Sequence, residues 1–249
     1  MKLYGLGGIG TGKLGNQVFA VKSGQQIVRQ YQPIVTNPNT PAQVATRSKM
    51  KLMSQVAAVV APAIAIAPVA NKTKRNLFIS RNYGEVTYND ETAAIALNRM
   101  QLTKGTLAFV GITAQATAAN KISIALAEDP TSDIDKVAYS IVRQDINGNL
   151  SFVESRVVDR DAQGKFPYTS QSTVFNGNRY TILAYGIRVN SERAALKLGQ
   201  LAAPTAENVA QIVASRSLND SDLTLTQTTG ASFIAEEGSE DPGSGPVNP

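Results

Sequence analysis

From residue 106 onward, apolar and polar residues alternate with a period of two. The rhythm runs through TLAFVGITAQA (106–116), KISIALAED (121–129), KVAYSIVRQ (136–144), LSFVESRVV (150–158), QSTVFN (171–176), YTILAYGIRV (180–189) and AALKLGQ (194–200). Alternation of this kind puts one face of each strand inward and one outward, and fixes register wherever a face is buried. The runs are short and separated by turn residues, among them Asn147-Gly148 in DINGN, a pair suited to the positive φ of a tight hairpin. About seven short antiparallel strands within about 95 residues predict a β-sandwich of immunoglobulin or fibronectin III type. Tyr180, at the opening of YTILAYGI, suits a tyrosine-corner position, in which the phenol bonds back to the backbone upstream; an ordinary core aromatic is the other reading.

The segment before this rhythm is of another kind. NQVFAVKSGQQIVRQYQP reads as a β-hairpin, with Val18 to Lys22 and Ile27 to Tyr31 as strands around Ser23-Gly24. In NPNTPAQ, Thr40 is placed as N-cap, Pro41 at the first helical position and Gln43 to close a capping box. The helix so started should end or kink at Pro62. A second helical piece is expected from about Ala63 to near Gly84, and 85–105 reads as a connector. The apolar run 56–70 is shorter than a bilayer span and holds Pro62 and Pro68, so it reads as a buried or interfacial helix with a break, not a membrane span. No targeting segment is visible at the N-terminus. One short helix is expected around 205–215, and the remainder is Gly/Pro/Ser-rich and carries Glu236, Glu237, Glu240 and Asp241; alone it should be disordered. The expected organisation is therefore α+β: a basic module (1–84), a connector (85–105), a sandwich (106–200) and an acidic C-terminal arm (201–249).

Charge separates these parts. Residues 1–84 hold eleven lysines and arginines and no carboxylate, the first being Glu85; the remainder holds thirteen bases against nineteen acids. An acid-free stretch of that length points to an acidic partner, whether nucleic acid, a carboxylate-rich protein surface or anionic lipid, against the simpler reading of a solvated basic face. The candidate partner-binding residues are Lys13, Lys22, Arg29, Arg47, Lys49, Lys51, Lys72, Lys74, Arg75 and Arg81. Aromatics are sparse among them, which favours backbone charge contact over base stacking.

Other chemistry is thinly supported. The chain has no His and no Cys, which excludes thiolate and imidazole metal sites, disulfides and Ser-His-Asp or Cys-His nucleophiles. GLGGIG and GTGKLG both spell G-x-G-x-x-G, but only MKLY precedes them and no acid follows for the ribose. Read as a Walker loop, the stretch puts Leu14 where a magnesium-binding hydroxyl belongs. The glycines therefore read as a flexible or backbone-packed arm, with no cofactor. DRDAQG gives Asp159, Asp161, Gln163 and Gly164 the spacing of a calcium loop, yet Ser170 stands where a bidentate Glu is required; a polar turn is the expectation. In EDPTSDID, the carboxylates of Glu128, Asp129, Asp133 and Asp135 suit a soluble loop, since a glycosidase pair would need a cleft.

Gly12, Lys13, Gly15 and Asn16, then QQIVRQY, then NPNTPAQ followed by Arg47, resemble a DUF6266-like family encoded by gut anaerobes and their phages. LFISRNYG and MQLTKGTLA agree with it in order, and the resemblance spans about 12–200. It implies a basic hairpin-plus-helix module ahead of an immunoglobulin-like domain, and brings no catalytic residues. Expected from it is a non-enzymatic structural protein of a phage virion, capsid- or tail-associated and assembled in the host cytoplasm, binding other virion proteins or copies of itself and no small-molecule substrate. The alternatives are sequence-independent nucleic-acid binding or packaging by residues 1–84, and a carbohydrate or adhesion module on the sandwich.

Overall fold

A computed structural model describes residues 11–22, 25–32, 39–69, 71–117, 119–127, 134–201, 204–218 and 221–235. The glycines before Thr11, the Ser23-Gly24 turn, Glu128, Asp129, Asp133 and the acidic positions after Ala235 lie outside them. The chain is mixed α+β with antiparallel sheets, and divides into two compact units, 1–44 and 45–249.

The first unit is a three-stranded sheet of β1 (Gly12–Leu14), β2 (Gln17–Lys22) and β3 (Gln25–Gln30), in that order. Leu14 pairs with Gln17, so Gly15 and Asn16 alone make the first turn. Gly15 has φ +55°, which a side chain with a Cβ rarely adopts. The glycine-lysine stretch is thus an edge strand and a hairpin turn; it does not enter a helix as a phosphate-binding loop would. Lys22 pairs with Gln25, so β2 and β3 form the expected antiparallel pair.

Helix α1 (Pro41–Val59) starts where the capping signal puts it. Gln43 N–H donates to Thr40 Oγ1 at 3.4 Å, but Gln43 Oε1 is buried without a partner, so only half of the capping box forms. A short 3-10 turn at Ala61–Ala63, with Pro62 in it, follows the helix end. The second helical piece begins later than expected, as α2 (Lys74–Asn82) capped by Thr73. Residues 64–66 are buried in non-helical backbone, with Ala65 bridged to Thr103. The connector holds a hairpin, β4 (Val86–Asn89) and β5 (Thr92–Ile95), turned by Asp90 and Glu91 at positive φ.

The strand series builds two sheets. The smaller runs β10 (Tyr168–Thr169), β7 (Ile122–Leu126), β6 (Ile112–Ala116). The larger centres on β11 (Arg179–Val189), which pairs with β8 (Lys136–Gln144) on one side; β8 pairs in turn with β9 (Leu150–Asp159). On its other side β11 meets β12 (Leu223–Leu225) and β13 (Thr229–Ile234). Asn147-Gly148 lies in the β8–β9 turn as expected, pinned by Asp145, whose carboxylate accepts from Asn147 N–H and from Asn149 N–H and Nδ2. The hydrogen bonds from Asn149 hold that carboxyl below its ordinary range.

Alternation then decides packing. Val137, Tyr139, Ile141, Tyr180, Ile182 and Ala184 share a core with Ile112, Ile122, Ile124 and Phe166, the layer between the two sheets. Ala138, Val142, Leu183, Tyr185 and Ile187 project the other way, into a second core with Met53, Val56 and Phe78 of the helices. The central sheet is therefore buried on both faces. Residues 194–200, expected as a strand, form helix α3 (Glu192–Gly199): Ser191 caps it and Ala194 and Leu198, one turn apart, are buried. No strand lies at 171–176, where the chain makes bends and β10 precedes it. Helix α4 (Ala206–Ala214) falls where expected, with a full capping box from Thr205 and Asn208. The stretch expected as a C-terminal arm thus supplies a helix and two strands up to Ile234.

Candidate docking interface

The three-stranded sheet has two chemically different faces. Lys13 pairs with Val18, which pairs with Arg29, and directly opposed residues share a face. That face carries Lys13, Val18, Ala20, Ile27 and Arg29, and Lys13 Nζ stands 3.5 Å above the centroid of the Tyr31 ring. A lysine over a tyrosine face is held by the ring quadrupole, so its charge is positioned. The opposite face carries Leu14, Gln17, Phe19, Val21, Gln26, Val28 and Gln30, without any charge. Among the described residues of the sheet none is buried; Leu14 is 57% exposed and Val28 50% exposed. A three-stranded sheet needs an apolar face covered to be stable, and this one has that face open.

The other candidate bases have varied surroundings. Lys22 ends β2, and its side chain is outside the described residues. On α1, Arg47 and Lys51 are exposed one turn apart, and Lys49 is half-buried. Lys72 is exposed. Three serve the chain itself: Lys74 Nζ donates to Ala61 O at 3.2 Å, Arg75 to Ser54 O at 2.9 Å and Ser54 Oγ at 3.1 Å, and Arg81 to Gly105 O at 3.5 Å. Lys74 reaches a carbonyl in the turn after α1, and Arg75 reaches Ser54 within the helix's last two turns. They are staples of the helical layer. Sequence reasoning could count these charges but could not see which carbonyls they would meet.

Other candidates resolve into local structure. Asp161 Oδ1 accepts from Gln163 N–H at 3.0 Å and Lys165 N–H at 2.7 Å, Asp159 pairs with Lys136, and Ser170 Oγ takes Ile122 N–H at 2.8 Å, so this stretch is a polar turn. Asp135 Oδ2 accepts from Val189 N–H at 2.7 Å. Among the described residues no three acidic side chains converge to hold a metal, and no helix is long and apolar enough to cross a membrane. Of the aromatics that this region could offer to a carbohydrate, Tyr139, Phe166, Tyr180 and Tyr185 are buried, Phe152 and Tyr168 half-buried, and Phe175 exposed.

One polar cluster was not legible in the sequence. Glu154 on β9 accepts from Tyr168 OH at 2.7 Å, Ser172 N–H at 2.8 Å, Gln171 N–H at 3.1 Å and Ser172 Oγ, tying the edge of the large sheet to the segment after β10. Burial pushes its carboxyl up, but these four donors outweigh it and hold the group below its ordinary value. With all its acceptor capacity in use inside the chain, Glu154 is a tie.

No protein-family model matches the chain, and no curated protein matches it.

Proposed function

We propose that this is a non-enzymatic structural protein, a phage virion component, which docks on an anionic partner through the cationic face of its N-terminal sheet. The observation that carries the reading is that sheet: Lys13 and Arg29 on one face, no carboxylate anywhere before Glu85, and no buried layer of its own. Strands can be read as ordered for contact with something outside the chain when burial does not explain them. The DUF6266-like resemblance is the source of the virion assignment.

Later in the chain, we read residues 106–235 as a fibronectin III-type sandwich with helices added on one face. Its support is strand order: β6-β7-β10 opposite β9-β8-β11-β13 is the arrangement A-B-E against C′-C-F-G. A second support is Tyr180, at the start of the F-like strand, whose OH accepts from Phe175 N–H at 2.9 Å five residues upstream, as a tyrosine corner requires.

The test is charge reversal. Lys13→Glu with Arg29→Glu should abolish incorporation into the native assembly while leaving circular dichroism unchanged; unchanged incorporation overturns the reading. Exposure of Arg47 and Lys51 along α1 favours a second reading, nucleic-acid phosphate as the anion. It requires duplex binding whose log K falls with log salt at about −0.9 per phosphate neutralised. No binding at low ionic strength removes it.

A further inference from the structure

Strand β3 is an edge. It pairs with β2 on one side and, among the described residues, with nothing on the other. All six of its residues are exposed, it has no proline or carboxylate, and its register with β2 runs unbroken. Edges are ordinarily protected by such features or by charge, and Arg29 is the only charge here.

The direction of its open hydrogen-bonding groups follows from one bond. Tyr31 N–H donates to Asn16 O at 2.6 Å, in line with the β2–β3 register. In an antiparallel ladder bonded and non-bonded pairs alternate, so residues 25, 27 and 29 address β2. Gln26, Val28 and Gln30 then turn their N–H and C=O groups outward. Their side chains belong to the uncharged face of the sheet, with Leu14, Phe19 and Val21.

We infer that β3 pairs antiparallel with β3 of a second copy about a two-fold axis at Val28, fusing two three-stranded sheets into one of six. A symmetric pair must be self-complementary. The outward set allows axes from 26 to 30, of which those at 27 and 28 each pair five of the strand's six residues; an axis at 27 would set Gln26 against Val28, and the axis at 28 sets amide against amide. There Val28 meets the partner's Val28, and Gln26 meets the partner's Gln30, side-chain amides that can each donate and accept. Ile27 lies across from the partner's Arg29, which keeps the two guanidinium groups from direct opposition. The edge itself argues for a copy as occupant: its outward residues Gln26, Val28 and Gln30 are uncharged and match their own copies across the axis, amide to amide and Val28 to Val28. The pairing stands apart from the docking reading, because it uses an edge and the neutral face, and docking uses Lys13 and Arg29.

The experiment is sedimentation equilibrium of the full chain at rising concentration, read as mass. The wild type is expected at twice the mass of one chain. Gln26→Lys with Gln30→Lys sets lysine against lysine across the axis and should give single-chain mass. Gln26→Glu with Gln30→Lys sets opposite charges at the same two positions and should restore the dimer. Within its own sheet Gln26 faces Val21 and Gln30 faces Gln17, so neither variant disturbs a charge there. A monomeric wild type, a dimeric Lys/Lys variant or a monomeric Glu/Lys variant would each overturn the inference. If the Lys/Lys monomer still enters the native assembly, the docking reading stands and only the dimer's part in it falls.

Discussion

The central and the N-terminal sheets of this chain share hydrogen-bond chemistry and differ in everything around it. Strand β11 is buried along nearly its whole length, with Leu183 and Tyr185 on the helical side and Tyr180 and Ile182 on the other. Strand β3 is exposed along its whole length. Burial of apolar surface is the dominant favourable term in folding, so β11 is fixed by the chain itself and β3 draws little from it. The contrast also runs through charge. The central sheet places its ionisable groups at edges and turns and ties them internally, as Glu154 and Asp145 show. The small sheet holds Lys13 over Tyr31 with no carboxylate opposite. One sheet is finished by folding, and the other is left with surface to offer.

Substitutions can break or sharpen that contrast. The largest effect is expected at Leu183→Ala, which empties part of the helix–sheet core and should cost about 2–5 kcal/mol in denaturant unfolding. Gly105→Ala follows. An ideal Cβ there would sit 2.1 Å from Leu225 O, against backbone that cannot give, so a loss of about 3 kcal/mol is expected. Next is a pair of tyrosines. Tyr139 OH donates to Phe166 O at 2.7 Å, and Tyr139→Phe strands that buried carbonyl at about 1–3 kcal/mol. Tyr185 OH is buried with no partner, so Tyr185→Phe should leave the melting temperature unchanged or raise it.

Smaller again is the acid limb. Glu154 has a folded value below its ordinary 4.5, so its contribution is present above that value and lost as pH falls through the depressed one. Wild type should melt above Glu154→Gln near neutral pH, and the gap should close on acidification; a constant gap would contradict the tie. The smallest effect is Leu14→Ala in the N-terminal sheet, within about 0.5 kcal/mol for the isolated chain. A large loss there would mean that the face is covered after all.

What the sequence disclosed follows the range of the forces involved. Long alternating runs gave β8, β9 and β11, and local signals gave the start of α1, the Asn147-Gly148 turn, α4 and the bond that Tyr180 OH accepts from Phe175 N–H. Residues 194–200 read as a strand in sequence because Ala194 and Leu198 suit either period over so few residues; Ser191 before Glu192 is the helix signal there. The β4–β5 hairpin hid behind Asp90 and Glu91, which adopt positive φ without a glycine to announce it. Strands β12 and β13 are hidden in the sequence because LTLTQTTGASFI is largely polar and its partner, β11, lies about forty residues away, a pairing no local pattern encodes. At the candidate interface the charges were legible and the faces were not. Register with Val18 joins Lys13 to Arg29, whereas Lys74, Arg75 and Arg81 are taken up by the chain's own carbonyls.

Amide hydrogen exchange, run on the purified full-length chain and again on the same chain in its native assembly, addresses the central claim most directly. Amides of β8 and β11 should be slow in both, and those of residues 12–30 should exchange faster than them in the free protein and slow markedly in the assembly. Equal exchange of 12–30 in the two states, or protection in the free chain matching that of β11, would contradict the account.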